Sequence, residues 1–154
     1  MRILFVCLGN ICRSPAAEGV LRAMAQQRGK AGALEIDSAG TYGGHAGELP
    51  DPRMRAAAAR RGYALTHRAR RVELADFERF DRVVAMDDAN DRTLTEMARR
   101  CSAQDKVVRM ADFFRHYSGV GSVPDPYYGG AEGFDRVLDL LEDACGTLLD
   151  SLPE

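Results

Sequence analysis

Cys7 closes the apolar run Leu4-Phe5-Val6, and Arg13 follows after five intervening residues with Ser14-Pro15 directly behind it. Those types at that spacing can do one kind of chemistry well. A strand that stops at a cysteine and turns tightly into a helix points backbone N–H groups and the positive end of a helix dipole at one spot, which holds a tetrahedral anion. The same field favours the thiolate form of Cys7, the nucleophilic one. Arg13 closes the cup with a planar fork suited to two phosphate oxygens. Gly9 permits close backbone approach, and Asn10 tolerates left-handed geometry. Ser14 is the expected helix cap, with Pro15 where a missing N–H costs nothing. A phosphate cradle (Leu8, Gly9, Asn10, Ile11, Cys12, Arg13, Ser14) with a nucleophile on its floor predicts phosphate-ester cleavage. The competing reading is a dinucleotide-type phosphate loop with an inert buried cysteine.

The elements that must position these residues can be read from pattern. A chain of 154 residues suits one domain, 1–154. Val20, Leu21 and Met24 follow Ala16 and Ala17 at helical spacing up to Gly29. Leu34-Glu35-Ile36 reads as a second strand running into Asp37-Ser38-Ala39-Gly40, and Thr41 to Leu49 as a glycine-rich loop. Asp51-Pro52 starts a helix that Gly62 ends. Val72 to Phe80 reads as a short helix with a capping turn, Arg82 to Met86 as a third strand, and Asp87 as the cap of a helix through Leu94 and Met97. Lys106 to Met110 reads as a fourth strand and Phe113 to Pro126 as a long surface loop. Phe134, Val137, Leu138, Leu141, Ala144, Cys145 and Leu148 then form one helical stripe. Strands alternating with helices predict an α/β fold with a parallel sheet.

Two segments carry a family resemblance. Val6-Cys7-Leu8-Gly9-Asn10-Ile11-Cys12-Arg13-Ser14-Pro15 matches V-C-x-G-N-I-C-R-S-P, and Asp125-Pro126-Tyr127-Tyr128-Gly129 matches a second mark in the expected order. The chain thereby resembles the low-molecular-weight protein tyrosine phosphatases, from Arg2 to about Leu149. The resemblance implies a three-layer sandwich: a four-stranded parallel sheet in the order 2-1-3-4, helices on both faces, and the site at the carboxyl ends of the strands. It implies phosphotyrosine hydrolysis through a phosphocysteine, with Cys7 as nucleophile, Arg13 as clamp and Asp125 as general acid and then base. Tyr127 and Tyr128 match the aromatic rim. Asn10, Ser14, Ser38 and His67 match a hydrogen-bond network behind the loop, with Ser14 donating to the Cys7 sulfur. Asp87 and Asn90 read as capping residues, and Asp87 could also steady Arg13. For Cys12, packing in the loop and a protective disulfide with Cys7 both stand.

Two relatives of the same fold compete. An arginine phosphatase of that branch carries threonine where this chain has Ile11. An arsenate reductase needs relay cysteines after the third strand, where Cys101 stands alone. A non-catalytic phosphate-binding module would lack the thiol or the acid. No cofactor is expected, and His45, His67 and His116 show no metal-ligand spacing. Net charge −2 gives no global field for nucleic acid, and the Arg68, Arg70, Arg71 cluster reads as solvated surface, with attraction to acidic phosphopeptides the lesser alternative. The expected partners are a phosphotyrosine protein as substrate and inorganic phosphate or other oxyanions as inhibitors. Apolar runs too short for a membrane predict a cytoplasmic chain with reduced thiols, Cys101 and Cys145 having no redox role. In the Thr41–Leu49 loop, Tyr42 or His45 is the specificity candidate.

Overall fold

In the computed structural model, which describes residues 1–152, the N-terminal apolar run becomes β1 (Arg2–Cys7), buried from Ile3 onward. A strand covered on both faces needs apolar side chains at every position, and Ile3-Leu4-Phe5-Val6 supplies them. Alternation sends Ile3, Phe5 and Cys7 into one core and Leu4 and Val6 into another. The first core is closed by α1 (Arg13–Gln27), α2 (Pro52–Arg60) and α5 (Ala131–Asp150). The second is closed by α3 (Asp76–Arg79) and α4 (Asp88–Arg99), through Phe77, Leu94 and Ala98. Every residue of the apolar stripe expected on the last helix is buried in α5.

The sheet is parallel throughout, in the order β2 (Glu35–Gly40), β1, β3 (Arg82–Ala85), β4 (Val107–Arg109). This is the order the resemblance implied. Register pairs Cys7 with Gly40 and Val6 with Ala85, so β2, β1 and β3 end side by side. Whatever follows those ends is brought to one edge of the molecule.

Four local expectations are corrected or narrowed. Ser14 is not the cap of α1: Arg13 is the first helical residue, and the preceding Cys12 makes no side-chain capping bond. Ser14 lies inside the first turn, where its hydroxyl is taken by groups behind the loop. The helix in the Val72–Phe80 stretch is confined to Asp76–Arg79, with the expected capping turn ahead of it, where the Asp76 carboxylate accepts from the Glu73 N–H (2.8 Å) and Arg70. The fourth strand keeps three residues, since Asp112 accepts from the Arg109 N–H (3.1 Å) and bends the chain away; a short edge strand is a common outcome. The 113–126 segment is not all surface: Phe113, Phe114 and Val123 are buried, and the Val123 N–H donates to the Met86 carbonyl at 2.8 Å.

Candidate active site

Cys7 sits at the last position of β1, buried, with Leu8–Cys12 turning the chain into α1. Its sulfur lies 3.0 Å from the Ser14 hydroxyl and accepts from the Ser14 N–H at 3.4 Å. Among the described residues, no protein acceptor takes the N–H groups of Gly9 to Arg13. The turn is possible because the Asn10 backbone is left-handed (φ 58°), a region asparagine tolerates better than most residues.

Asn10 also makes the turn rigid. Its amide nitrogen donates to Ser14 (2.8 Å) and Ser38 (3.0 Å), while its oxygen accepts from the Arg70 N–H (3.0 Å) and faces His67 Nε2 at 2.9 Å. All four bonding directions of one buried amide are thus engaged, which fixes its orientation and that of the loop. Behind it the Ser38 hydroxyl donates to Glu18 (2.8 Å), and His67 Nδ1 faces Glu18 and Asp37 at 3.2 and 3.4 Å. Burial pushes the Glu18 carboxyl up in pKa against the pull of His67, Ser38 and Arg22. Glu18 and Asp37 escaped the sequence reading, and Arg70, expected as solvated surface, instead turns inward to pair with Asp37 and Asp76; Glu18 stands one helical turn after Ser14, a spacing that could have flagged it. No sequence spacing links Glu18, Asp37 and His67, yet the fold brings their donor atoms within 4.8 Å. Each already has a protein partner through Ser38, Arg22, Arg70 or Asn10, so the trio reads as a buttress for the loop.

Arg13 is almost wholly buried, although guanidinium groups rarely are without partners. Its Nη1 donates to Asp87 (2.7 Å) and to the Val123 carbonyl (3.1 Å), and its Nη2 lies 3.8 Å from Asp125. Burial alone would lower the guanidinium's pKa; the nearby Cys7 sulfur, Asp87 and Asp125 hold it above its ordinary value. Asp87 performs both roles expected of it, because its second oxygen caps α4 by accepting from the Asn90 N–H at 2.8 Å.

Asp125 stands in the loop before α5, half exposed, one oxygen accepting from the Tyr127 N–H at 3.0 Å. It borders a cleft of about 200 Å³ whose floor is Cys7, Cys12 and Arg13 and whose walls include Ile11, Tyr127 and Tyr128. The two tyrosine rings meet edge to face at 5.0 Å, and Tyr128 stands almost fully in solvent. Tyr127 carries the Arg53 guanidinium 5.3 Å above its ring, and Arg53 is gripped by Asp51 through two bonds of 3.1 and 2.9 Å. Asp51 also caps α2 and donates its N–H to the Ile11 carbonyl (2.8 Å), so one residue links rim and loop. Asp51-Pro52 was expected as a helix start; the hold of Asp51 on Arg53 was not expected. Tyr42 and His45 both reach the cleft from the Thr41–Leu49 loop. Cys12 shares the floor with Cys7, and burial, followed by the Asp51 carboxylate, pushes its thiol pKa up. Cys145 is buried in α5 and Cys101 is exposed, both away from the cleft.

Comparison with known proteins places this arrangement. The family model described as "Low molecular weight phosphotyrosine protein phosphatase" matches residues 2–154. A low molecular weight protein-tyrosine-phosphatase of Streptomyces coelicolor is 44% identical over 155 residues, covering 99% of this chain and 94% of its own. A crystal structure of a protein tyrosine phosphatase from Entamoeba histolytica superimposes with a TM-score of 0.94 at 44% identity, over 97% of this chain and 95% of that one. The YwlE arginine phosphatase, solved as a cysteine-to-serine mutant with a phosphorylated active-site serine, superimposes with a TM-score of 0.88 at 27% identity, over 99% and 95%.

Proposed function

We propose, for a chain that belongs to the low molecular weight phosphotyrosine protein phosphatase family and hence to the hydrolases, that it cleaves phosphotyrosine in proteins through a phosphocysteine on Cys7. The observation that carries this reading is the meeting of Cys7, Arg13 and Asp125 around one cleft, with Arg13 Nη2 3.8 Å from the Asp125 carboxylate. The Cys7 sulfur attacks phosphorus while the bond to the phenolic oxygen breaks. Asp125 gives its proton to that oxygen, which otherwise departs as a poor leaving group; such transfer contributes roughly two to four powers of ten. The loop amides and Arg13 hold the three equatorial oxygens, and hold them best as charge spreads in the transition state. Asp125, now a carboxylate, takes a proton from water as that water attacks phosphorus, and the sulfur leaves with the Ser14 hydroxyl donating to it. Inorganic phosphate and similar oxyanions occupy the same cradle and inhibit. No step calls for a metal ion. The whole of 1–154 acts as one catalytic domain, and four free thiols fit a reducing, cytoplasmic setting.

Arginine phosphatase activity is the second reading, supported by the likeness to YwlE. Ile11 on the cleft wall and the Tyr127–Tyr128 pair favour an aromatic ring over a guanidinium. Turnover of p-nitrophenyl phosphate and of phosphotyrosine and phosphoarginine peptides, in chelator, tests both. Preference for phosphoarginine overturns the first reading, and absence of any turnover leaves a phosphate-binding module. Cys7→Ser is expected to abolish turnover and still bind vanadate.

A further inference from the structure

A second groove, of about 620 Å³, opens beside the cleft and shares two of its walls, Leu8 and Tyr42. Both side chains are about half exposed, although large and apolar. Sequence order alone gives no reason for Tyr42 to be there. The Thr41 and Tyr42 N–H groups donate to the Cys7 and Leu8 carbonyls (3.0 and 2.8 Å), which lays the chain after β2 against the phosphate loop. Gly40 permits this approach, since a Cβ there would come within 2.7 Å of the Leu8 carbonyl oxygen. Gly44 lets the Tyr42 ring fold across it, where a Cβ would meet the ring at 2.2 Å, and His45 meets that ring edge to face at 6.1 Å. Tyr42 is therefore a fixed partition between cleft and groove.

The far wall is Arg71. Its backbone is bridged to Gly40, with the Val72 N–H donating to the Gly40 carbonyl (2.8 Å) and the Gly40 N–H to the Arg70 carbonyl (2.9 Å). In an extended segment neighbouring side chains point opposite ways. Arg70 turns inward to Asp37 and Asp76 (3.1 and 3.0 Å), and Arg71 turns outward with its stem along Gly43. Arg68 is engaged as well, on the Gly47 carbonyl. Among the described residues the Arg71 guanidinium has neither a carboxylate within ion-pair distance nor a hydrogen-bond acceptor, so of this trio it alone has its fork uncommitted.

We propose that Arg71 is a specificity-determining residue that reads an aspartate or glutamate beside the phosphotyrosine of the substrate. The substrate chain leaves the cleft across Leu8 and Tyr42 and sets its carboxylate on the Arg71 fork. This rests on the phosphotyrosine reading above and adds a sequence preference to it.

The test is kcat/KM for phosphotyrosine peptides carrying aspartate or alanine at each flanking position in turn. Wild type, Arg71→Ala and Arg71→Glu are compared, with p-nitrophenyl phosphate as the substrate that cannot reach the groove. An aspartate at one position is expected to raise wild-type kcat/KM about two- to fivefold, the range of an exposed ion pair. The gain shrinks between about 0.05 M and about 0.5 M salt. It vanishes in Arg71→Ala, reverses in Arg71→Glu, and leaves p-nitrophenyl phosphate turnover unchanged in both. An acidic preference that survives in Arg71→Ala, or no preference at any position, overturns the proposal. The same peptides are ranked by binding to Cys7→Ser, which needs no turnover. Failure of the phosphatase reading then shows in the wild-type assays, and failure of the Arg71 assignment in the ranking.

Discussion

Arg13 Nη1 donates to Asp87 Oδ2 at 2.7 Å, and that bond ties the floor of the cleft to the first turn of α4. The other carboxylate oxygen is the helix cap, so one side chain orients the Arg13 guanidinium and starts an element on the opposite face of the sheet. Two substitutions separate these duties. Asp87→Asn keeps one oxygen for the cap but turns an NH2 toward the buried Arg13 guanidinium; it is expected to weaken phosphate binding and kcat/KM about tenfold and to lower the urea midpoint through the lost charge partner. Asp87→Ala removes both, and leaves a buried guanidinium short of its partner. A further loss of about 1–2 kcal/mol of stability is expected from the cap, read by urea denaturation.

Asn10 saturates four neighbours from a left-handed backbone. Asn10→Gly keeps the backbone at ease and removes the bonds; Asn10→Ala removes the bonds and adds strain of roughly 1 kcal/mol. Both are expected to lower kcat for p-nitrophenyl phosphate by at least tenfold, because Ser14 then loses the donor that aims its hydroxyl at sulfur. The alanine variant should unfold at lower urea than the glycine variant. Equal midpoints would show that the φ of 58° stores nothing.

Asp125 reaches Arg13 with one oxygen and the Tyr127 N–H with the other. Its proposed proton matters most when the departing phenolate is basic. Asp125→Ala is expected to slow phenyl phosphate far more than p-nitrophenyl phosphate, giving a steeper dependence of kcat on leaving-group pKa than wild type. An unchanged slope removes Asp125 as the acid.

Cys12 shares the floor with Cys7, and burial, followed by the Asp51 carboxylate, pushes its thiol pKa up. In the expected sequence, peroxide oxidises the Cys7 thiolate to the sulfenate and is itself reduced to water. The Cys12 thiol then gives its proton to the sulfenate oxygen and its sulfur attacks the Cys7 sulfur; the disulfide forms and hydroxide leaves. Wild type is expected to regain activity with dithiothreitol, and Cys12→Ser to lose it permanently under the same exposure. Equal recovery leaves Cys12 a packing residue only.

Asp143 accepts from the backbone N–H groups of Arg115, His116 and Tyr117 and so pins the loop ahead of Val123. Burial raises its pKa, but those three donors prevail and hold the carboxyl below its ordinary value. A depressed carboxyl stabilises the fold above its unfolded pKa of about 4, and that contribution disappears as pH falls through the folded value. Asp143→Asn is expected to cost about 2 kcal/mol at neutral pH and progressively less below about pH 4. Urea midpoints across that range check it; a constant difference refutes the assignment.

What could be read in advance follows from the range of the forces involved. The V-C-x-G-N-I-C-R-S-P stretch is contiguous, so thiol, turn and clamp are written in one segment, and the α5 stripe follows from spacing along one helix. Ser14 shows where such reading stops. A serine before proline ahead of a helix has the local signature of a cap, and only the packing of Asn10 and Cys7 against it gave its hydroxyl another use. Val123 likewise looked like loop surface, until its carbonyl proved to be an acceptor for Arg13.

The amino-acid order by itself determined the chemistry on offer, a thiol beside an arginine in a tight turn, together with the strand and helix that carry them. The tertiary structure decided which distant groups complete that turn. Asp87 and Val123 hold Arg13, Glu18 and His67 brace Asn10, and Arg71 faces outward while Arg70 faces in. Turns and periodic faces are set by neighbours along the chain, whereas these partnerships depend on burial, where each donor must find an acceptor among residues that only folding brings near.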